Sequence, residues 1–283
     1  MVSKLIIFDT ETTGLNEEDR IIQIGAIISE LGNPNYFEVA YNELCSSEIP
    51  IKIEAMSTHG IRQNDIKNKP SYNETKFKIR LDELNNNENY LIAHNLDFDL
   101  TMLKKEGFQN KFKLIDTLQC AKHLFEIGEE INGYKLPNHK LQTFRYMMFS
   151  HEEEETEARK YGVEIKAHDA IGDVVILKMF LVKLFLKTKE KYQIKNSQDI
   201  FNKMVELSST PIMLKKVTFM KKHQDKTLLE ILEIDRSYLQ YFYNQQCEYK
   251  TNSDSNFNKD LHYTLDILLN NRNNSEFQDG INF

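Results

Sequence analysis

The sequence predicts an α/β fold, a mixed sheet flanked by helices, with a smaller and mostly helical module behind it. Two observations predict it. Strand-like runs come first and then alternate with helical patterns, the order expected of a sheet with both antiparallel and parallel neighbours. The texture then changes after Lys187, where the polar stretch KTKEKYQIKNSQD precedes segments of helical periodicity alone.

In chain order, residues 5–9, 21–29 and 36–39 are apolar enough for strands, and NEEDR and ELGNPN supply the turn residues between them. Helical patterns follow over 48–57 and 72–84, and the polar NNNEN breaks the chain before a short strand at 90–93. A helix from about Leu96, a strand over 112–115 and helices over 117–125 and 139–149 continue the alternation. The strongest helix spans 170–187, where Val174, Leu177, Leu181 and Leu184 form an apolar stripe that packs on a sheet. HEEEETEARK, residues 151–160, reads as a solvated helix or an inserted loop. Farther on, Phe257, Leu261, Leu265 and Leu268 fall on one helical face, and NNRNNSEFQDGINF reads as a flexible tail.

Composition narrows the function. An apolar fraction of 40% with 17 Phe supports a real core in 283 residues. No apolar run approaches the roughly 20 residues of a membrane span. Cys45, Cys120 and Cys247 are scattered and form no CxxC pair, which fits a reducing compartment and small buried side chains better than a disulfide scaffold or a thiolate zinc site. With no basic leader ahead of the first strand, the expected location is cytoplasmic. The net charge of −7 argues against a passive nucleic-acid coat but not against an enzyme that acts on nucleic acid.

The first apolar run, KLIIFDTETTGL, ends on Asp9 and Glu11. Side chains alternate across a strand, so both project from one face, where two anions repel unless one is protonated or a cation lies between them. Further carboxylates stand in YLIAHNLDFDLTML, with Asp97 and Asp99 in the first turn of a helix, and in KAHDAIGDVVIL, with His168 ahead of Asp173. An acid in a first turn is equally well a capping device, and His168 alone is equally well structural. If Asp169 caps the helix, His168 lies on the approach loop and can share a cleft with Asp173.

Taken together, Asp9-x-Glu11, His94-Asn95-x-x-Phe98-Asp99 and His168-x-x-x-x-Asp173 resemble, in order and spacing, the three exonuclease motifs of the DEDDh exonuclease family. EAMSTHGI, residues 54–61, resembles the His-Gly-Ile turn of that family's proofreading subunits. VTFMKKHQDKTLLEILEIDRSYLQYF resembles the C-terminal module of the exonuclease X branch, with Met220 and Gln224 standing near where glycines are expected.

The resemblance implies an RNase H-like mixed five-stranded sheet and a division into an exonuclease domain at 1–188, a linker and short helix at 189–210, a module at 211–270 and a tail at 271–283. It implies that Asp9, Glu11, Asp99 and Asp173 hold two Mg²⁺ ions, with Mn²⁺ able to substitute, and that His168 is the general base. Thr12, Leu15, Glu54, His59 and Phe98 would hold the terminal sugar and base. The implied reaction is 3′-to-5′ hydrolysis of DNA to 5′ nucleoside monophosphates, on a single-stranded end or overhang, in DNA repair. Proofreading beside a polymerase, trimming of RNA ends and a non-catalytic nucleic-acid binder are the alternatives. The partner is nucleic acid, with or without a polymerase or repair protein, and the oligomeric state is left open. In MLKKVTFMKKHQDK, Lys215, Lys216, Lys221, Lys222 and Lys226 around Phe219 read either as a solvated surface or as a strip along a phosphate backbone.

Overall fold

In the computed structural model, which describes residues 2–33, 36–165, 168–217, 219–252 and 256–270, the first two apolar runs become β1 (Lys4–Thr12) and β2 (Ile21–Glu30), paired antiparallel. The next strand, β3 (Val39–Leu44), begins where the expected strand at 36–39 ends. It lies at the sheet edge and none of its residues is buried, so VAYNEL lacks the apolar signal. The helix expected over 48–57 is α1 (Ile53–His59), closed by Gly60 at φ 75, a left-handed conformation that glycine takes without strain. After the single turn α2 (Gln63–Ile66), the pattern over 72–84 divides into a 3₁₀ turn at Tyr72–Glu74 and α3 (Lys76–Leu84). The division falls at Thr75, whose side chain accepts from the Lys78 N–H and caps α3.

The fully buried β4 (Tyr90–Ala93) leads through Asn95, at φ 74, into α4 (Leu96–Lys105), and β5 (Lys113–Asp116) into α5 (Thr117–Leu124). A small hairpin, β6 (Glu130–Ile131) with β7 (Tyr134–Lys135), turns on Asn132-Gly133, both at positive φ. The helices α6 (Leu141–Met148), α7 (His151–Arg159) and α8 (Ala170–Lys191) follow. HEEEETEARK is therefore helical, with most of its length exposed but Glu154 and Ala158 buried.

The sheet order is β3-β2-β1-β4-β5, with β1 parallel to β4 and β4 parallel to β5, which gives the mixed RNase H-like sheet. On one face Leu5, Ile7 and Ile92 pack with residues of α5, α6 and α8; on the other Ile6, Phe8 and Leu91 pack with α3 and α4. β1 is thus the central strand, and its C-terminal end, next to that of β4, is where an open α/β sheet leaves a crevice for ligands.

The chain divides into two compact units, Met1–Ser209 and Thr210–Phe283. The stretch read as a linker and short helix at 189–210 is the end of α8 followed by α9 (Ser197–Ser209), whose Ile200, Phe201, Met204 and Leu207 are buried in the core of the first unit. Only one face of α9 is apolar, so its composition reads as polar. In the second unit α10 (Leu228–Ile234), α11 (Arg236–Thr251) and α12 (Lys259–Asn270) enclose Leu228, Ile231, Leu239, Leu261, Leu265 and Leu268. Phe257 precedes α12 instead of sharing its stripe. Met220 and Gln224 have φ −77 and −58, conformations that need no glycine. The tail at 271–283 lies outside the described residues. Among the described residues no helix is long and apolar enough to cross a membrane.

Candidate active site

Three of the four expected ligands meet directly. Asp9 and Glu11 project from β1 toward the start of α8, and Asp9, Glu11 and Asp173 each offer a carboxylate oxygen within 4.8 Å of the others. A shift of register between Glu11 and Thr12 bends β1 as it leaves the sheet, a device common beside active sites. Thr10 faces the other way and donates its hydroxyl to Asp99 Oδ1 at 2.7 Å, which fixes the 2% exposed Asp99 at the first turn of α4. Asp99 lies outside the group of three but is a leading source of the repulsion felt by Asp9.

The electrostatics are those of an uncompensated anion cluster. Burial, then repulsion from Asp99, Glu11 and Asp173, holds the Asp9 carboxyl well above the usual carboxylate range. Burial followed by Asp173 pushes Glu11 up to about 8. Burial raises Asp99 to about 7 against the hydrogen bonds from Thr10, and Asp173 to about 6 against those from His168 and Gln142. Among the described residues none of the four is in an ion pair. Such a site is costly alone and fits divalent cations, and an all-oxygen donor set suits Mg²⁺ or Mn²⁺.

His168 is exposed, at φ 59, and its backbone N–H donates to Asp173 Oδ2 at 3.1 Å. His59 donates from Nε2 to the Thr12 carbonyl at 3.2 Å and accepts at Nδ1 from the Ile61 N–H at 3.0 Å. Burial keeps its pKa low, so the neutral ring joins the end of α1 to the end of β1 and both its nitrogens are engaged within the protein. Thr12 donates its hydroxyl to the Gly14 carbonyl at 2.7 Å. Leu15 is 81% exposed, Glu54 is exposed in the first turn of α1, and Phe98 is half-buried against the α4 side of the core. Lys166 and Ala167, ahead of His168, lie outside the described residues.

The exonuclease family model, named for RNase T, matches residues 6–180, more than half of the chain. The chain belongs to the exonuclease family. Of the curated relatives, the DNA polymerase III epsilon subunit of Buchnera aphidicola from Schizaphis graminum is 31% identical over 137 residues, 43% of this chain and 57% of that protein. The 3′-5′ exonuclease DinG of Bacillus subtilis is 32% identical over 143 residues, 47% of this chain and 14% of that protein. The chain therefore spans just over half the length of the first of these relatives. A solved structure of exonuclease X in complex with 5′ overhanging duplex DNA aligns with 72% of this chain and 99% of its own at 20% identity, with a TM-score of 0.47.

Several residues that shape the site in this family member carry no motif. A Cβ on Gly25, the β2 partner of Asp9, would fall 2.3 Å from the Ala170 carbonyl carbon, so only glycine lets the start of α8 lie this close to the sheet. That approach brings Asp173 to Asp9. Gln23 donates to Asp169 Oδ1 at 2.8 Å and to Asn42 Oδ1 at 3.0 Å, tying the loop before α8 to β2 and β3. Gln142 donates to Asp173 Oδ1 at 2.5 Å. In sequence these are ordinary polar or small residues; the one available signal was a lone glycine inside an apolar strand, which marks a close backbone approach.

Proposed function

We propose that the chain hydrolyses DNA stepwise from a free 3′ end, releasing 5′ nucleoside monophosphates. The observation that carries this is the cluster of Asp9, Glu11 and Asp173, with the buried Asp99 beside it, half-buried and, among the described residues, without an ion pair at the end of the central strand in a member of the exonuclease family. These four residues would hold two divalent cations, Mg²⁺ in the cell. When bound, such ions neutralise the phosphate, make a water more acidic and stabilise the leaving 3′ oxygen. His168, exposed on the loop that hydrogen-bonds Asp173, takes the proton from the attacking water, a role suited to imidazole near neutrality.

The rim positions the terminal nucleotide. Backbone N–H groups near Thr12 meet the 3′ hydroxyl, and His59 keeps that backbone in place through its bond to the Thr12 carbonyl. Leu15 and Phe98 offer apolar surface to a base, and Glu54 is exposed in the first turn of α1, the helix that ends on His59. In the second unit Phe219 is 52% exposed among Lys215, Lys216, Lys221, Lys222 and Lys226, which suits a contact that follows a phosphate backbone without reading sequence. A cytoplasmic role in DNA repair, on a single-stranded end or an overhang, fits these features. Proofreading beside a polymerase is a second reading, favoured by the similarity of 43% of the chain to an epsilon subunit.

Oligonucleotides labelled at either end, as DNA and as RNA, test the proposal. The expected result is a 5′-labelled DNA ladder that shortens from the 3′ end, immediate release of a 3′ label as mononucleotide, and complete arrest by EDTA. Shortening from the 5′ end, or hydrolysis indifferent to EDTA, would contradict it; faster RNA cleavage would move the substrate to RNA.

A further inference from the structure

Of the acids in α7, Glu154 is only 5% exposed. Its carboxylate takes Arg145 in a two-point grip, Nε to Oε1 at 2.9 Å and Nη2 to Oε2 at 2.7 Å. The remaining side of the same guanidinium points one turn back along α6, where Nη1 donates to Gln142 Oε1 at 3.3 Å. Gln142 then donates Nε2 to Asp173 Oδ1 at 2.5 Å. The chain of donors runs one way. Reversing the amide would set its oxygen against a carboxylate and its NH₂ against a guanidinium, so Arg145 fixes which end of Gln142 meets Asp173.

Asp173 is held at both oxygens, Oδ1 by Gln142 and Oδ2 by the His168 N–H at 3.1 Å. Each oxygen keeps a lone pair, and the carboxylate keeps one orientation. Glu154 has a second consequence: it engages a cation that would otherwise be free to neutralise Asp173 and compete with a metal ion.

We propose that Gln142 is a positioning residue for Asp173, aligned by the buried Arg145–Glu154 pair, so that α7 supports the catalytic carboxylates from behind. The inference rests on reading the carboxylate cluster as a divalent-cation site. Hydrogen bonds to a ligand carboxylate tune its metal affinity, and their loss costs about 10- to 100-fold in affinity or activity.

Calorimetric titration of Mn²⁺ into the metal-free full chain tests it, with Gln142→Met as the variant that keeps shape and Glu154→Gln as the variant that weakens the grip on Arg145. Gln142→Met should need about 10-fold more Mn²⁺ for half-saturation. Glu154→Gln should shift in the same direction by less. At saturating Mn²⁺ both should lower kcat while the oligonucleotide KM stays within about twofold, the pattern of a lost interaction that does not bind substrate. An unchanged Mn²⁺ affinity in Gln142→Met, even with a lower Tm, would make the network a packing device and overturn the proposal. Absence of Mn²⁺ binding by the unsubstituted chain would overturn the cation-site reading and this proposal with it, so the two failures are distinguishable.

Discussion

Two groups of acids meet helix α8 in different ways. Near its start Asp173 meets Asp9 and Glu11; burial raises all three pKa values, and repulsion adds to it at Asp9 and Glu11. Five residues later Lys178 reaches Glu38 Oε2 at 2.7 Å, Glu157 Oε1 at 2.8 Å and the Tyr161 hydroxyl at 2.6 Å. There the hydrogen bonds from Lys160 and Lys178 outweigh burial and lower the Glu157 carboxyl. One group of acids is settled by a lysine built into the chain; the other has no such partner among the described residues and, on the proposed reading, takes a divalent cation. The difference separates residues that hold the fold from residues that the fold holds for chemistry, and the two should fail differently when changed.

The largest effect belongs to the uncompensated end. Asp9→Ala or Asp173→Ala should lower nuclease turnover by roughly 10³-fold or more, the scale of losing a major electrostatic contribution. Because repulsion is relieved, the metal-free variants should melt at or above the Tm of the unsubstituted chain. Wild-type turnover at matched Mg²⁺ would break the distinction. His168→Ala follows, with kcat down about 10²- to 10⁴-fold in steady-state assays and a smaller change in KM. An unchanged pH–rate profile in that variant would assign the proton to another group.

Gly25→Val tests how the two ends share one helix. Its branched side chain has no room against the Ala170–Ile171 backbone, so thermal unfolding should show a loss of about 1–3 kcal/mol together with reduced activity. At the compensated end, Lys178→Met leaves Glu38 and Glu157 without their shared cation. It should cost about 2 kcal/mol of stability, while turnover per folded molecule stays near that of the unsubstituted chain.

The smallest effect is in pH. The folded-state pKa values of the cluster lie above the usual unfolded values near 4, and Glu11 reaches about 8. Between those limits the metal-free folded protein binds more protons than the unfolded chain, so its stability falls as pH rises. EDTA-treated protein should melt higher at pH 6 than at pH 8, by roughly 2–4 °C for each kcal/mol recovered, and saturating Mg²⁺ should remove that slope. A Tm that climbs from pH 6 to pH 8 without metal would mean that the cluster is compensated after all.

How legible each part was follows from how local its cause is. β1, β2, β4 and α8 are buried along most of their length, and their apolar periodicity shows it. β3 is an edge strand and α9 is apolar on one side only, so neither announces itself. The hairpin at Asn132-Gly133 had its turn signal but flanks of two residues each, too short for a strand pattern. Asp9 and Glu11 stand out because carboxylates end an apolar run, and the motif spacing then draws in Asp99, His168 and Asp173. Gln23 could not be read in the same way, since its partner Asp169 is 146 residues distant and nothing about a glutamine in a strand points there. Glu154 was masked by its neighbours: in a run of glutamates the buried one looks like the exposed ones.

Metal uptake compared across three proteins tests the central claim most directly. After equilibrium dialysis against Mn²⁺, the account predicts about two ions per chain for the unsubstituted protein and for Lys178→Met, and a clear loss in Asp173→Ala. Equal uptake by all three proteins, or none by any, would contradict it.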